Sequence, residues 1–574
     1  YRDLIKTHSG LVLLVILLQV SIDCLFNALP LYTKHFIDVI VPVRSLVALL
    51  RFTGLLFANM AGIIGFQYII NRFQEKVRLT LTFALDNQVL VRILNAPVQL
   101  LSQKPGSFHA NRIKQDTDEV IGFYQYFVCQ FVSNVATAIW VIIYALTINV
   151  WIAVVMATVF FPLYMLVRWY YNRLRGRIFA VRDQHCDIET FRYETLAGLR
   201  SLKLWLAHRF RMAVYSSRYN EYMKSSVSLS VSEFYPSLIQ EAFIEYLPQL
   251  GVFLLGGYMV FQGKMTIGQW MALSLYANSF VGPMSRVANI GGKFSVVSGT
   301  IERLKEYTTL PEEIDEAENP EKIPSNIENL RIDDISYEYP DKTRAVENVS
   351  FELSRGEVCA IVGGSGAGKS TVVNIIAGLF TPQTGNCSLN GIPYRALPVS
   401  YIRSKIAVAS ISDFIFSESI ADNIGLARKQ AEPEAIKRAS GLAAAQEFIS
   451  DTEKGYDTRL GEGGLGLSDG QIQRIILARL FLKGGDVVIL DEATASLDPE
   501  TERKVLTNVM EVFRGKIILF VTHHPSVAKH AQRILVLENG TIVDSGRHEE
   551  LIFRNQYYRE LMQRGIRHLP GIDE

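Results

Sequence analysis

Long apolar runs crowd the first half of this chain and give way to short ones in the second. Six of the long runs approach the ~20 residues that a helix needs to cross a bilayer core. They are Leu11–Leu31, Thr53–Ile70, Phe127–Ile148, Trp151–Tyr171, Leu238–Phe261 and Ile267–Ile290. Breaks at Asn149 and at Gln262-Gly263-Lys264 join the third run to the fourth and the fifth to the sixth as hairpins. The stretches Asn71–Tyr126 and Asn172–Val231 are long, polar and helical in pattern, and the second is rich in arginine (Arg173, Arg175, Arg177, Arg182, Arg192, Arg200). Basic residues collect on the cytoplasmic side of a membrane. The pattern therefore predicts a six-helix membrane bundle with both long stretches and both termini in the cytoplasm. A single run could be a buried helix of a soluble protein; six with one charge bias argue against that.

The second half reads differently. A helix is expected to continue to about Tyr307, followed by an acidic, proline-containing stretch from Leu310 through Pro320 and Pro324 that reads as a linker. Beyond it, short apolar runs at Val358–Val362, Val487–Leu490 and Ile517–Val521 have the length of buried strands. The expected domains are residues 1–307 in the membrane, 308–326 as linker, and 327–574 as an α/β domain.

Composition adds limits. At 574 residues the chain exceeds what one core can hold, and its net charge of +1 gives no electrostatic case for a nucleic-acid partner. Five scattered cysteines show neither a disulfide framework nor a zinc pattern and read as packing residues. The chain starts at Tyr1, which is compatible with a native segment ahead of it; no cleavable signal is evident.

The chemistry is concentrated in five short motifs. Gly363-Gly364-Ser365-Gly366-Ala367-Gly368-Lys369-Ser370-Thr371 fits the phosphate-binding pattern G-x4-G-K-[ST], after one apolar strand and at the start of a helix. Its glycines let successive backbone N–H groups close on phosphates, and the helix N-terminus adds positive potential. Lys369 would reach the β- and γ-phosphates and Ser370 would ligate Mg²⁺. A plain glycine-rich turn would not need the strand, the lysine and the serine together. The apolar strand that starts at Val487 ends in Asp491-Glu492, where one carboxylate suits the Mg²⁺ shell and the next can polarise an attacking water. Between these two stands Leu467-Ser468-Asp469-Gly470-Gln471. After them come Ala495-Ser496-Leu497-Asp498 and Val521-Thr522-His523.

In this order the motifs resemble those of the ATP-binding cassette family, whose signature is L-S-G-G-Q. Weaker likenesses extend into the first half: Gly106 to Asp118 and Glu194-Thr195-Leu196-Ala197-Gly198 are similar to the intracellular loops of ABC exporters, and Gly282-Pro283 to a pair in their sixth helix. Six helices ahead of one cassette is the half-transporter plan, and the overall flavour is similar to bacterial peptide and bacteriocin exporters. The resemblance implies a transmembrane bundle of ABC exporter type fused to a C-terminal α/β P-loop cassette. It also implies ATP and Mg²⁺ as ligands, with Glu492 as general base, Asp491 as the metal carboxylate and His523 as γ-phosphate sensor. Tyr339 matches the position that stacks on adenine. Ser468, Gly470 and Gln471 belong to a signature that reaches the phosphate held by a second cassette, and Asp498 would communicate across that interface. One chain then cannot complete its own site. A dimer is implied, and an identical partner is expected because nearly every element is present in this chain.

Two positions depart from the pattern. Asp469 replaces the middle glycine of the signature, and Ile411 stands where the family places a glutamine that reaches Mg²⁺ and signals to the membrane helices. Ser410, Ser412 and Asp413 are candidates to substitute for it. His524 stands where the family commonly has arginine and receives no role.

The implied function is ATP-driven export by alternating access from a bacterial inner or plasma membrane. The cargo is expected to be a peptide or an amphipathic compound. A lipid flippase would share the fold and the ATP site, while intact Glu492 and His523 argue against an ATP-gated regulator that transports nothing. Cargo chemistry is suggested by Asp23 in the first run and by Glu241 and Glu245, four residues apart on the fifth. Carboxylates at bilayer depth face protein or a water-filled cavity. They would favour cationic cargo, or else pair with Arg168 or Lys34 as structural groups.

Overall fold

The computed structural model divides into a helical unit and an α/β unit, following the change from long to short apolar runs. It describes residues 9–566 except 102–105, 149, 241–245, 289, 314, 316–322, 462–463, 465 and 524. Glu241, Glu245 and His524 thus lie outside the described residues. The first unit comprises Tyr1–Leu94 and Pro105–Leu310; the second comprises Asn95–Lys104 and Pro311–Glu574. The α/β unit thus takes in a short segment that the hydrophobic pattern alone assigns to the membrane half.

The second and fourth apolar runs of the first unit lie on helices far longer than the runs themselves. Ser9–His35 carries the first run and Leu46–Leu94 the second. At 1.5 Å per residue the latter extends about 70 Å, more than twice a ~30 Å hydrocarbon core. Its second half is the polar stretch after Ile70, so the helix continues past any bilayer. Gly106–Gln125 and Val132–Ile148 flank a π-turn at Tyr126–Phe131; Val150–Ala197, His208–Gln240, Leu247–Phe261, Ile267–Ala288 and Ile290–Thr308 follow. Among the described residues, Val12–Val43 and Leu46–Leu94 are long and apolar enough to cross a membrane by themselves; Val132–Ile148 and Gln249–Phe261 are shorter apolar helices.

Polar anchors fix the packing of these helices. Asp38 accepts from the Thr266 hydroxyl at 2.6 Å and from the Gly268 N–H at 2.9 Å, and a Cβ at Gly268 would come within 2.6 Å of that carboxylate. The fully buried Tyr276 donates to the Asn27 carbonyl at 2.5 Å. Buried Asp116 is held by Arg303 at 2.6 Å, and Thr300 donates to Glu119 at 2.8 Å. The carboxylates of Asp38 and Asp116 and the Tyr276 hydroxyl thus have partners, which offset the cost of taking them out of water.

In the α/β unit, ten strands form two sheets. β1 (Asn329–Glu338), β2 (Arg344–Ser354), β4 (Thr384–Leu389) and β5 (Ile392–Pro393) make an antiparallel sheet in the order β2-β1-β4-β5. The second sheet has β3 (Val358–Val362), β6 (Ile406–Ser410), β7 (Val487–Asp491), β8 (Ile517–Thr522), β9 (Arg533–Glu538) and β10 (Thr541–Gly546), ordered β10-β9-β3-β8-β7-β6. Strands β9, β3, β8, β7 and β6 run parallel and β10 closes one edge antiparallel. Every residue of β3, β7 and β8 is buried, as expected of strands covered on both faces. Side chains alternate between two cores. Val358, Ala360 and Val362 join one, while Cys359 and Ile361 join the other. Each buried Val, Leu or Ile side chain contributes about 1.5–3 kcal/mol.

The parallel register determines the site. Val362 pairs with Thr522, Asp491 with Val521 and Ser410 with Asp491. The carboxyl ends of β3, β8, β7 and β6 therefore lie side by side, where ligands bind in sheets of this kind.

Candidate functional site

Each of those strand ends delivers one piece. β3 runs into the glycine loop and the helix Lys369–Ile376, capped by Gly368 in a left-handed conformation with φ of 98°. Glycine is required there twice over, since a Cβ would also stand 2.2 Å from the Ala345 carbonyl oxygen. At Gly363 a Cβ would stand 2.3 Å from the Leu537 carbonyl oxygen. Lys369 lies back over the loop and donates from Nζ to the carbonyls of Gly363 and Gly364 at 2.9 and 3.0 Å. Burial pulls its ammonium below the ordinary lysine value, and the charges of Glu492 and Asp491 hold it up.

β7 ends in the carboxylate pair. Asp491 is buried, and burial pushes its carboxyl above the ordinary aspartate value against hydrogen bonds from Ser410 and Ser370. The Ser410 hydroxyl reaches Asp491 Oδ2 at 3.3 Å. Glu492 follows with a φ of +51°, a left-handed conformation that non-glycine residues adopt at a cost. That turn sets its carboxylate beside the end of β8, where His523 Nδ1 is 2.9 Å from Glu492 Oε1. Lys369 Nζ is 3.9 Å from the same oxygen. Thus Lys369, Ser370, Asp491, Glu492 and His523 come together.

Tyr339 stands just beyond β1. Its hydroxyl hydrogen-bonds Thr371 Oγ1 at 3.1 Å, and its ring meets Tyr337 and Phe380 edge-on. The aromatic group is thereby fixed over the first turn of the P-loop helix.

Ser468 is the N-cap of the helix Asp469–Lys483. Its hydroxyl accepts from the Gln471 N–H at 3.3 Å and the Gln471 side chain accepts from the Ser468 N–H at 2.9 Å, a reciprocal capping box. Asp469 is exposed in the first turn of that helix, where the macrodipole favours a carboxylate, and this accounts physically for the departure from glycine. Gly470 packs so closely that a Cβ would lie 2.9 Å from the Ser496 carbonyl oxygen. Asp498 caps the helix Pro499–Val512, and its hydrogen bonds from Thr501 hold its carboxyl below the ordinary value. Among the described residues, no hydrogen bond links Ser468, Gly470 or Gln471 to the P-loop, Glu492 or His523.

Ile411 is half exposed at the end of β6, its N–H donating to the Asp491 carbonyl at 3.3 Å. Of Ser410, Ser412 and Asp413, Ser410 is, among the described residues, the one whose side chain hydrogen-bonds Asp491. Tyr557 is a residue that sequence reasoning missed. From the helix Gln556–Ile566 its hydroxyl accepts from the Gly364 N–H at 2.9 Å, across 193 positions of sequence. No local pattern signals such a contact.

With this geometry in place, two family models match the chain. The model described as ABC transporter covers residues 346–495, and that described as ABC transporter transmembrane region covers residues 12–284. The chain belongs to the ABC transporter family, as an exporter-type transmembrane domain followed by a C-terminal nucleotide-binding domain. It is 28% identical over 574 residues to the putative multidrug export ATP-binding/permease protein YgaD of Bacillus subtilis (strain 168), covering 98% of each chain. It is 28% identical over 570 residues to the lactococcin-A transport/processing ATP-binding protein LcnC of Lactococcus lactis subsp. lactis, covering 97% of this chain and 77% of that one. It is 30% identical over 383 residues to the alpha-hemolysin translocation ATP-binding protein HlyB of Escherichia coli O6:H1, covering 66% of this chain and 53% of that one. The solved structure of a bacterial Atm1-family ABC exporter with ATP bound shares the fold, with a TM-score of 0.87 at 21% identity over 97% of this chain and 99% of that one. The chain is an ATP hydrolase whose turnover is coupled to export.

Proposed function

We propose that two copies of this chain form an exporter that moves a peptide or amphipathic, cationic compound out of the cytoplasm of a bacterial cell. The observation that carries the reading is the convergence of Lys369 and His523 on Glu492 Oε1 at the ends of β3, β8 and β7. ATP lies along the P-loop with its adenine on Tyr339. Lys369 swings from the loop carbonyls to the β- and γ-phosphates. Glu492 takes the proton of the attacking water, and His523 holds the base in place until the γ-phosphate draws its ring away.

Ser370 and Asp491 fit Mg²⁺: a hydroxyl in the first turn of the P-loop helix and a buried carboxylate at the end of β7. The ion would neutralise charge developing between the β- and γ-phosphates. Ser468 and the Gly470 amide belong to the site of the second copy, in keeping with their lack of any hydrogen bond to the P-loop of their own chain. ATP then bonds the two cassettes together, and Asp498 lies at the junction. Closure drives the helices from inward-facing to outward-facing, and hydrolysis resets them. Asp23 in the membrane half supports a cationic cargo; Glu241 and Glu245 are proposed to act with it.

The test is to reconstitute the purified chain in proteoliposomes, measure its mass, and screen basic peptides, hydrophobic cations, neutral drugs and lipids for stimulation of ATP hydrolysis. A dimer stimulated by basic or amphipathic cations supports the reading. Stimulation by lipids alone would favour a flippase, and a silent monomer rescued by a different half-transporter would overturn the identical pair.

A further inference from the structure

The helical unit contains a cavity of about 630 Å³ lined mainly by side-chain amides. Five glutamines line it, Gln19, Gln67, Gln74, Gln125 and Gln130, together with Asp23. The remaining lining residues are Asn71, Gly122, Tyr126, Ser133 and Asn134, so no lysine, arginine, histidine or aliphatic side chain is among the described walls. The volume falls within the range of ordinary small-ligand sites.

Sequence spacing builds this cavity. Gln19 and Asp23 are four apart on Ser9–His35; Gln67, Asn71 and Gln74 follow at four and three on Leu46–Leu94. Each set therefore forms a stripe on one face of its helix. Gln125 and Gln130 border and occupy the π-turn Tyr126–Phe131. Gln19, Asp23, Gln67 and Gln130 lie within the apolar runs, where polar side chains are costly unless they face partners or water, and Asn71, Gln74 and Gln125 lie in the polar stretch beside them.

These groups are not used up on one another. Gln67 donates to Asn71 at 3.0 Å, but Gln19 reaches Asp23 at 3.4 Å and Gln74 reaches Gln19 at 3.5 Å, the weak end of hydrogen bonding. Among the described residues, no hydrogen bond of full geometry reaches Asp23 Oδ2, which is buried near the Ser133 hydroxyl. The pocket thus offers paired donors and acceptors around one under-satisfied carboxylate.

We propose that this cavity is a cargo site for a short, hydrophilic, basic peptide. Side-chain amides match the alternating C=O and N–H of a peptide backbone. Asp23 takes the ammonium or guanidinium in a charge-assisted hydrogen bond. A lipophilic cation would need aliphatic or aromatic walls, and Tyr126 alone supplies them. The proposal rests on the exporter reading and narrows its cargo from cations in general to hydrophilic ones.

The experiment uses the full chain in proteoliposomes. It measures the concentration of each probe that gives half-maximal stimulation of ATP hydrolysis. The probes are a short lysine-bearing peptide, the same peptide with glutamine for lysine, and tetraphenylphosphonium. Mass in detergent and nucleotide binding show that each variant is folded. The lysine peptide should act at the lowest concentration. Asp23→Asn should raise that concentration about 10-fold, roughly 1.4 kcal/mol, for the lysine peptide and leave the neutral one unchanged. Gln125→Leu should raise it for both peptides and spare tetraphenylphosphonium. Tetraphenylphosphonium as the best stimulator, equal effects of Asp23→Asn on both peptides, or a loss of dimer mass in both variants would overturn the proposal. So would steady ATP hydrolysis that no peptide stimulates. A folded wild-type chain that hydrolyses no ATP would instead contradict the exporter reading itself.

Discussion

His523 Nδ1 lies 2.9 Å from Glu492 Oε1, so the end of β8 holds the carboxylate presented by the end of β7. The pairing depends on the left-handed turn at Glu492, which brings the side chain round from the strand axis. A base steered by a neighbouring imidazole is the arrangement expected where water must be aligned on a phosphate. Glu492→Gln should therefore bind ATP and lower turnover by ~10²–10⁴, accumulating an ATP-bound closed dimer. Hydrolysis by Glu492→Gln at the wild-type rate would remove Glu492 from this role.

Ser410 and Ile411 are neighbours at the end of β6 with different chemistry. The Ser410 hydroxyl touches Asp491, whereas Ile411 offers only a half-exposed apolar surface. Ser410→Ala should raise the Mg²⁺ concentration needed for half-maximal hydrolysis. Ile411→Gln should change the ratio of cargo-stimulated to basal hydrolysis more than the basal rate. Titrations of both variants with Mg²⁺ and with a stimulating cargo check this. An unchanged ratio in Ile411→Gln would mean that another residue already links nucleotide to helices.

Much of this site was legible in sequence because its parts are local. The glycine loop, its strand and its helix are contiguous, and Asp491-Glu492 and His523 each end an apolar run that can only be a buried strand. Their convergence was legible only through family resemblance, since the order β3-β8-β7-β6 is a property of the sheet and not of any one segment. Tyr557 was invisible for the same reason: a hydroxyl meeting an amide 193 positions away leaves no periodicity. Asp498 and Ser468 show the converse, because their capping bonds give them local structural work beside any role at an interface. The membrane runs were legible as apolar length and the stretch after Ile70 as helical in pattern, whereas the continuity of both in one helix, Leu46–Leu94, was not, because a change from apolar to polar residues marks no break in the backbone.

Tyr557 holds the Gly364 N–H and so positions the entry to the P-loop. Removing one such hydrogen bond costs about 0.5–1.5 kcal/mol. Tyr557→Phe should raise KM for ATP by ~2–10-fold on that scale, with kcat moving less. Gly364→Ala should act similarly, because its Cβ would stand 3.1 Å from the Tyr557 hydroxyl oxygen. Steady-state kinetics decide it; an equal fall in kcat with KM unchanged would place the effect elsewhere.

Asp486 gives the α/β unit a pH-dependent contribution to stability. Burial alone would raise its carboxyl, but the hydrogen bond and charge of Lys516, with Lys405 at 3.4 Å, hold it below the ordinary aspartate value. A lowered folded value means stability present above the unfolded value near pH 4 and lost as pH falls through the folded one. Asp486→Asn should lose about 1–3 kcal/mol near neutrality. The difference from wild type should shrink below about pH 4. Thermal melts across that range test the sign; a gap that widens on acidification would contradict it.

The central claim is that each ATP site is completed by a second copy of the chain, and mixed dimers test it most directly. Lys369→Ala disables the P-loop of one copy and Ser468→Arg the signature of the other. Each variant alone should hydrolyse ATP at background rates. Co-expressed with separate tags and purified through both, the pair contains one site with an intact P-loop from one copy and an intact signature from the other. It should recover hydrolysis well above either parent. A doubly tagged dimer of correct mass that stays as inactive as its parents would contradict the two-chain site.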